Sequence, residues 1–220
     1  MSRKPQIQFD LLSNARDSLR RAVELMAFDE GGSEHSRLKH AILSSAHCIE
    51  LLMKERLRQV HPALLWENVD KFPSLEARTV TPDTAIARLK NIGGVTFTAN
   101  DEMNLRSLFK TRNAIQHYEW ETTEKEATVI VGSALSFAFS FASEELNTDL
   151  EAAFKRDDTW QTFINELYEF VRIHGERLEA KLAKDGEYRP HCDECGYPAL
   201  PPGGGSCELC GHWQNVNDDD

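Results

Sequence analysis

Two cysteine pairs near the end of the chain constrain its fold more than any other feature. They read Cys192-Asp-Glu-Cys195-Gly and Cys207-Glu-Leu-Cys210-Gly, with eleven residues between Cys195 and Cys207. Four thiolates satisfy the tetrahedral shell of a zinc ion, and each glycine lets the backbone turn its amides towards the sulfurs. Two disulfides or free thiols are the alternative. The spacing predicts one Zn²⁺ per chain, held in a knuckle at residues 191–214.

A shell of four cysteines has no open coordination position, so we expect this zinc to be structural rather than catalytic. The segment is too short for a core of its own, and metal binding would supply most of its folding free energy, of order 10 kcal/mol in comparable sites. It resembles the zinc-ribbon knuckles at chain ends, which bind nucleic acid or protein. Trp213 beside it is the tryptophan most suited to stacking on a base or a partner.

Helical periodicity dominates residues 6–184 and predicts an all-α bundle at 1–185, joined by a linker at 186–190 to the knuckle and an acidic tail at 215–220. Glycine, proline and capping residues predict the helix ends. Six helices are predicted: from about residue 6 to Gly31-Gly32, from Ser33 to His61-Pro62, from Thr81 to Gly93-Gly94, from Thr98 to Tyr118, from Thr122 or Thr123 through 127–141, and from Thr159 to Lys184. Residues 63–80 and 201–205 are predicted to be irregular.

Composition and charge limit the classes of function. The net charge of −11 argues against broad electrostatic binding to nucleic acid, although a local basic groove is compatible with it. No run of about 18 uninterrupted apolar residues occurs, and the polar N-terminus lacks the pattern of a secretory signal. We therefore expect a soluble, cytoplasmic protein without a membrane partner. Cys48, which lies among apolar residues, is expected to be a buried reduced thiol.

The predicted helix at 98–118 carries the candidate catalytic and phosphate-binding residues. At 100° per residue, Arg112 lies in the centre of an apolar stripe, and Gln116 lies there too. A charged arginine on a packing face is costly unless it is paired or faces a cleft. A second row beside the stripe carries polar and cationic side chains, namely Arg106, Lys110, Asn113 and His117.

This arrangement fits an anion site for a phosphodiester. Arg106 and Lys110 would bind RNA phosphates, with Asn113 adding an amide. Arg112 would stabilise developing negative charge, and His117 would transfer a proton near neutral pH. The structural alternative is that Arg112 pairs with a carboxylate such as Glu50 while His117 is simply a partly exposed side chain, because buried ion pairs give the same pattern.

The motif Arg112-Asn113-x-x-x-His117 resembles the signature of the HEPN family, the nucleotide-binding or ribonuclease domains of higher eukaryotes and prokaryotes. The segment from His40 to Lys54, which includes Glu50, is similar to an earlier helix of that fold. The resemblance covers about residues 6–184, and its specific part is the six-residue motif.

The resemblance implies a HEPN-like bundle that forms a homodimer with a shared cleft. It implies a metal-independent endoribonuclease of a toxin–antitoxin, phage-defence or RNA-processing system, with an antitoxin or defence protein as a further partner. Arg112 and His117 match the catalytic pair, Asn113 matches the polar residue after the arginine, and Glu50, Gln116 and Tyr118 are the expected supporting residues. Glu119 stands where members regulated by tyrosine modification carry the tyrosine, so we do not expect that control. The rival reading is a non-catalytic dimeric RNA- or nucleotide-binding or protein-interaction module that recruits a partner through the knuckle.

Overall fold

The structure is a computed structural model that describes residues 9–28, 33–155 and 158–216. Within these ranges the protein is mostly helical, with a two-stranded antiparallel ribbon near its C-terminal end. The helices are α1 (Leu11–Ala27), α2 (Glu34–Val60), α3 (Pro82–Asn91), α4 (Ala99–His117), α5 (Glu124–Leu146), α6 (Asp158–Glu166) and α7 (Tyr168–Asp185), and the strands are β1 (Gly205–Ser206) and β2 (Trp213–Gln214).

Local capping accounts for where most helices begin. Thr98 and Asp101 form a reciprocal capping box at the start of α4, and Thr123 forms another with Glu126 at the start of α5. Each box satisfies two backbone donors that a helix start leaves unpaired. Thr81 caps α3 with proline in its first turn, and Ser33 caps α2, as the sequence predicts.

The long helices α2 and α5 form the centre of the bundle. α2 packs against α1, α3, α4 and α5, while α5 also contacts α7. By length and composition, α5 is the described helix that would suit a membrane, but 72 % of its most apolar window is buried inside the protein. Its composition is therefore that of a core helix, in agreement with the apolar character predicted for 127–141.

The prediction of one continuous last helix is wrong, because the helix is interrupted at Leu167 and forms α6 and α7. The ring centroids of Phe163 and Phe170 lie 4.7 Å apart. Seven residues of straight helix would separate them by about 10 Å along the axis, so the break makes their contact possible. It also brings α7 against α5, where a Cβ on Gly132 would lie 3.0 Å from the Phe170 backbone nitrogen.

Three smaller expectations need correction or fall outside the structure. The first helix, expected from about residue 6, begins at Leu11, and Phe9 precedes it and is exposed. α1 already ends at Ala27, and Gly31-Gly32 lie outside the described residues. Gly205, expected to be irregular, pairs with Gln214 in the ribbon.

The predicted irregular segment at 63–80 contains two short 3-10 turns, Pro62–Leu65 and Val69–Lys71. The Arg88 guanidinium on α3 donates to the carbonyls of Leu64, Trp66 and Glu67 at 2.7, 2.6 and 2.9 Å. This one side chain satisfies three loop carbonyls and ties the segment to the bundle.

Candidate functional site

The side chain of Arg112 on α4 points towards α2, as its place in the apolar stripe predicts. Its Nη2 donates to Glu50 Oε2 at 3.0 Å, and its Nη1 lies 3.4 Å from Gln116 Oε1. The guanidinium also lies over the Phe109 ring, 5.8 Å from the centroid. The contact with Glu50 that the structural alternative predicts is therefore present, and it satisfies part of the arginine's charge.

Glu50 is shared between two cations. Its second oxygen accepts from Lys54 Nζ at 2.7 Å, and Lys54 also donates to Thr79 Oγ1 at 2.9 Å. The Arg112 and Glu50 side chains are 23 % and 22 % exposed. The carboxylate thus holds Arg112 at the edge of the bundle, where its side chain remains partly exposed.

Three of the four residues in the second row of α4 face a groove between α3 and α4. The groove has a volume of about 940 Å³, and Arg106, Lys110 and Asn113 line it from α4. Arg106 pairs with Glu102 at 3.3 Å, and Glu102 also pairs with Lys90 on α3. The structure therefore places three predicted site residues on one surface, with the charge of Arg106 partly compensated.

His117 is the last residue of α4 and is exposed. Its ring centroid lies 6.5 Å from that of Tyr118, which is 81 % exposed. Gln116, placed by periodicity in the apolar stripe, is exposed because the stripe runs out of the packed interface at the helix end. Arg112 and His117 stand five residues apart, and at 100° per residue they point about 140° apart around the helix axis.

The four predicted metal ligands converge at the other end of the molecule. Cys192, Cys195, Cys207 and Cys210 offer sulfurs that all lie within 4.8 Å of one another. Two of the separations are 3.6 Å, between Cys192 and Cys210, and 3.7 Å, between Cys195 and Cys207. A tetrahedral zinc ion with Zn–S bonds of about 2.3 Å separates its sulfurs by about 3.8 Å. The cluster can therefore hold a metal ion of this kind.

The environment of the sulfurs favours thiolate at one position. Hydrogen bonds from the Cys195 and Cys210 thiols lower the pKa of Cys207, and the Cys210 backbone N–H adds a donor at 3.5 Å. The His212 N–H lies 3.5 Å from the Cys210 sulfur. Gly196 and Gly211 have positive φ values of 75° and 79°, so the glycine after each pair makes the turn that the motif requires. Cys48, in contrast, is fully buried in α2, and burial raises the pKa of its thiol.

The knuckle packs directly on the helical bundle. Trp160 Nε1 donates to the Leu209 carbonyl at 3.1 Å, and Lys155 Nζ donates to the Glu208 carbonyl at 2.7 Å. The Tyr197 hydroxyl of the knuckle donates to the carbonyl of Arg172 on α7 at 3.2 Å. Gly175 on α7 leaves room for the Tyr197 ring, since a Cβ at position 175 would lie 2.6 Å from ring atoms. The buried cysteines belong to the same apolar cluster as the bundle.

A further polar cluster lies beside this contact and has no sequence motif. His174 Nδ1 hydrogen-bonds with Ser136 Oγ at 3.2 Å, and its Nε2 with Glu151 Oε1 at 3.2 Å. Burial raises the pKa of Glu151, but His174 and Lys155 outweigh it and hold the value below 4.5. Ser136 is fully buried inside α5, so the cluster joins helices and offers no accessible nucleophile. Its members lie far apart in sequence, and no local pattern would have found them.

Comparison of the chain with family models, with curated proteins and with solved structures found no match. The resemblance carried by Arg112, Asn113 and His117 therefore stays a prediction.

Proposed function

We propose that this protein is a metal-independent endoribonuclease of HEPN type that acts as a homodimer in the cytoplasm, in toxin–antitoxin, phage-defence or RNA-processing biology. The observation that carries the proposal is the end of α4, where a partly exposed arginine paired with Glu50 lies five residues before an exposed histidine. Within the described residues, the cysteine cluster is the group of three or more ligating side chains that could hold a metal ion, and it does not include α4.

The angle between the two side chains supports a dimer. Because Arg112 and His117 of one chain point about 140° apart, one copy aims them poorly at a single phosphate. Two copies packed through their α4 helices would bring the arginine of one chain near the histidine of the other. A cleft between them would also hold an RNA strand with Lys110 and Asn113 at its edges.

The reaction that these groups fit is transesterification. His117 takes the proton of a ribose 2′-hydroxyl, and the 2′-oxygen forms a bond to the adjacent phosphorus as the bond to the 5′-oxygen breaks. Arg112 stabilises the negative charge on the phosphoryl oxygens, and the leaving 5′-oxygen receives a proton from the histidine of the second copy. The products are a cyclic phosphate and a free 5′-hydroxyl.

We propose zinc as the metal of the cysteine cluster. The sulfur separations and the all-cysteine donor set fit Zn²⁺, and four protein ligands leave no position for water or substrate. When bound, the ion would hold the two cysteine turns together. Cys192 and Cys195 would then be tied to Cys207 and Cys210 in the docked position on α6 and α7.

The test is cleavage of single-stranded RNA in magnesium-free buffer with EDTA. We expect the protein to cut, and His117→Ala and Arg112→Gln each to lose roughly 100- to 10,000-fold in rate while circular dichroism and dimer mass stay unchanged. His40→Ala and Arg78→Ala are the matched controls, since both residues are exposed and lie on other elements. A requirement for magnesium, or activity that survives His117→Ala, would show the assignment to be wrong.

The second candidate is a dimeric, non-catalytic RNA- or nucleotide-binding or protein-interaction module. The ion pair of Arg112 with Glu50 favours it, because the arginine is satisfied without a ligand. The net charge of −11 favours it too. If no RNA is cut but RNA still binds and Arg112→Gln weakens that binding, this candidate replaces the nuclease.

A further inference from the structure

The groove between α3 and α4 is lined by both apolar and charged residues. Its floor is apolar, with Ile86 from α3 and Phe109 from α4 almost fully buried and Ala87 and Ala114 beside them. The groove therefore offers apolar side chains on which an aromatic ring can lie.

Polar groups without intramolecular partners surround this floor. Within the part of the chain that the structure describes, the side chains of Lys110 and Asn113 and the Tyr118 hydroxyl have no hydrogen-bond or ion-pair partner. The Tyr118 ring itself is 81 % exposed at the mouth of the groove, although aromatic rings are usually packed. These donors and this ring are available to a ligand.

The charge of the groove contrasts with that of the whole chain. Three lining residues are cationic and two are acidic, which makes the groove net positive in a protein of net charge −11. The cationic residues are Lys90, Arg106 and Lys110, and the acidic residues are Asp83 and Glu102. An anionic ligand is therefore favoured here over the rest of the surface.

Both candidate catalytic residues adjoin the groove walls. Phe109, in the floor, carries the Arg112 guanidinium over its ring at 5.8 Å, and Tyr118, at the mouth, follows His117 directly. A ligand that combines a flat ring with a phosphate would place the ring on the floor and the phosphate near Lys110. The neighbouring phosphodiester would then extend towards the end of α4.

We infer that this groove binds one unpaired nucleotide of an RNA strand, with its base stacked between Tyr118 and the apolar floor and its phosphate at Lys110 and Arg106. The inference rests on the proposed function and adds to it a subsite that selects single-stranded over paired RNA. A base inside a duplex is stacked on its neighbours and cannot enter.

The test separates binding from cleavage. A short unstructured RNA with 2′-O-methyl groups cannot be cut through its 2′-oxygen, so fluorescence anisotropy of this labelled strand reports binding alone. We expect Tyr118→Ala to raise its Kd roughly tenfold or more. Ala87→Trp, which fills the groove from an exposed position on α3, should do the same without changing α4.

Matched controls are Tyr168→Ala and Ala183→Trp, exposed positions on α7 outside the groove, which should leave the Kd unchanged. The inference is overturned if the groove variants bind as wild type does, if they weaken a duplex of the same sequence equally, or if wild type does not bind the strand. Cleavage of unmodified RNA is measured in parallel. Cutting by wild type with normal binding in the groove variants refutes the groove alone, and groove-dependent binding without cutting refutes the nuclease alone.

Discussion

The indole Nε1 of Trp160 donates a hydrogen bond of 3.1 Å to the backbone carbonyl of Leu209, which stands immediately before the metal-ligand candidate Cys210. Lys155 makes the matching contact to the Glu208 carbonyl at 2.7 Å. Lys155, which precedes α6, and Trp160, which lies in α6, thus hold the turn that joins Cys207 to Cys210. The cysteine cluster and the last two helices therefore share one packed interface, and a change in one should be felt in the other.

Removal of the metal should loosen α6 and α7 selectively. We expect zinc at one equivalent per chain by elemental analysis, bound by Cys192, Cys195, Cys207 and Cys210. Chelation should speed hydrogen exchange of α6 and α7 amides roughly tenfold, because the turn that holds Trp160 and Lys155 loses its constraint. Exchange in α2 and α3 is the internal control. Zinc-free protein from a chelator-free preparation, or equal exchange in all helices, would contradict this.

Trp160→Phe should destabilise the protein although it keeps an aromatic ring. The substitution leaves the buried Leu209 carbonyl without its donor, which costs about 1–3 kcal/mol of unfolding free energy. Trp213→Phe is the matched control on an exposed tryptophan and should change stability by less than about 0.5 kcal/mol. Urea unfolding of the zinc-loaded proteins measures both, and equal effects would mean that the hydrogen bond does not anchor the knuckle.

A double-mutant cycle of Arg112→Gln and Glu50→Gln should reveal coupling of about 0.5–3 kcal/mol. Both side chains are less than a quarter exposed, so solvent screens the pair weakly. The comparison pair is Arg172 and Glu176 on α7, whose side chains are 39 % and 58 % exposed. That pair should couple by only about 0.3–0.5 kcal/mol. No difference between the two cycles would show that Glu50 does not position Arg112.

The pH dependence of stability should carry a contribution from Glu151. Its pKa in the folded protein lies below 4.5, so the carboxylate adds stability that is present above that pH and is lost as the pH falls through the folded value. Glu151→Gln should therefore be less stable than wild type at pH 6, with the difference shrinking as the medium becomes acidic. Denaturant unfolding at several pH values measures this, and Glu144→Gln, in the same cleft, is the control. A difference that stays constant with pH would exclude titration of Glu151.

Local chemistry in the sequence was sufficient for most helix starts and for the metal-ligand set. Thr98 with Asp101, Thr81 with Pro82, and the two cysteine turns act through neighbours no more than three residues away, and such signals can be recognised without a structure. The same kind of reading placed Arg112 on the packing stripe and named Glu50 as its structural partner.

Tertiary structure alone decided what joins distant parts of the chain. The helix break at Leu167 accompanies the packing of Phe163 on Phe170, a contact that the local sequence pattern did not predict. The contact of Trp160 with Leu209 spans 49 residues, and the groove appears only when α3 lies against α4. Such features depend on how amphipathic helices pack together, and the periodicity of each helix specifies which face is buried but not which partner covers it.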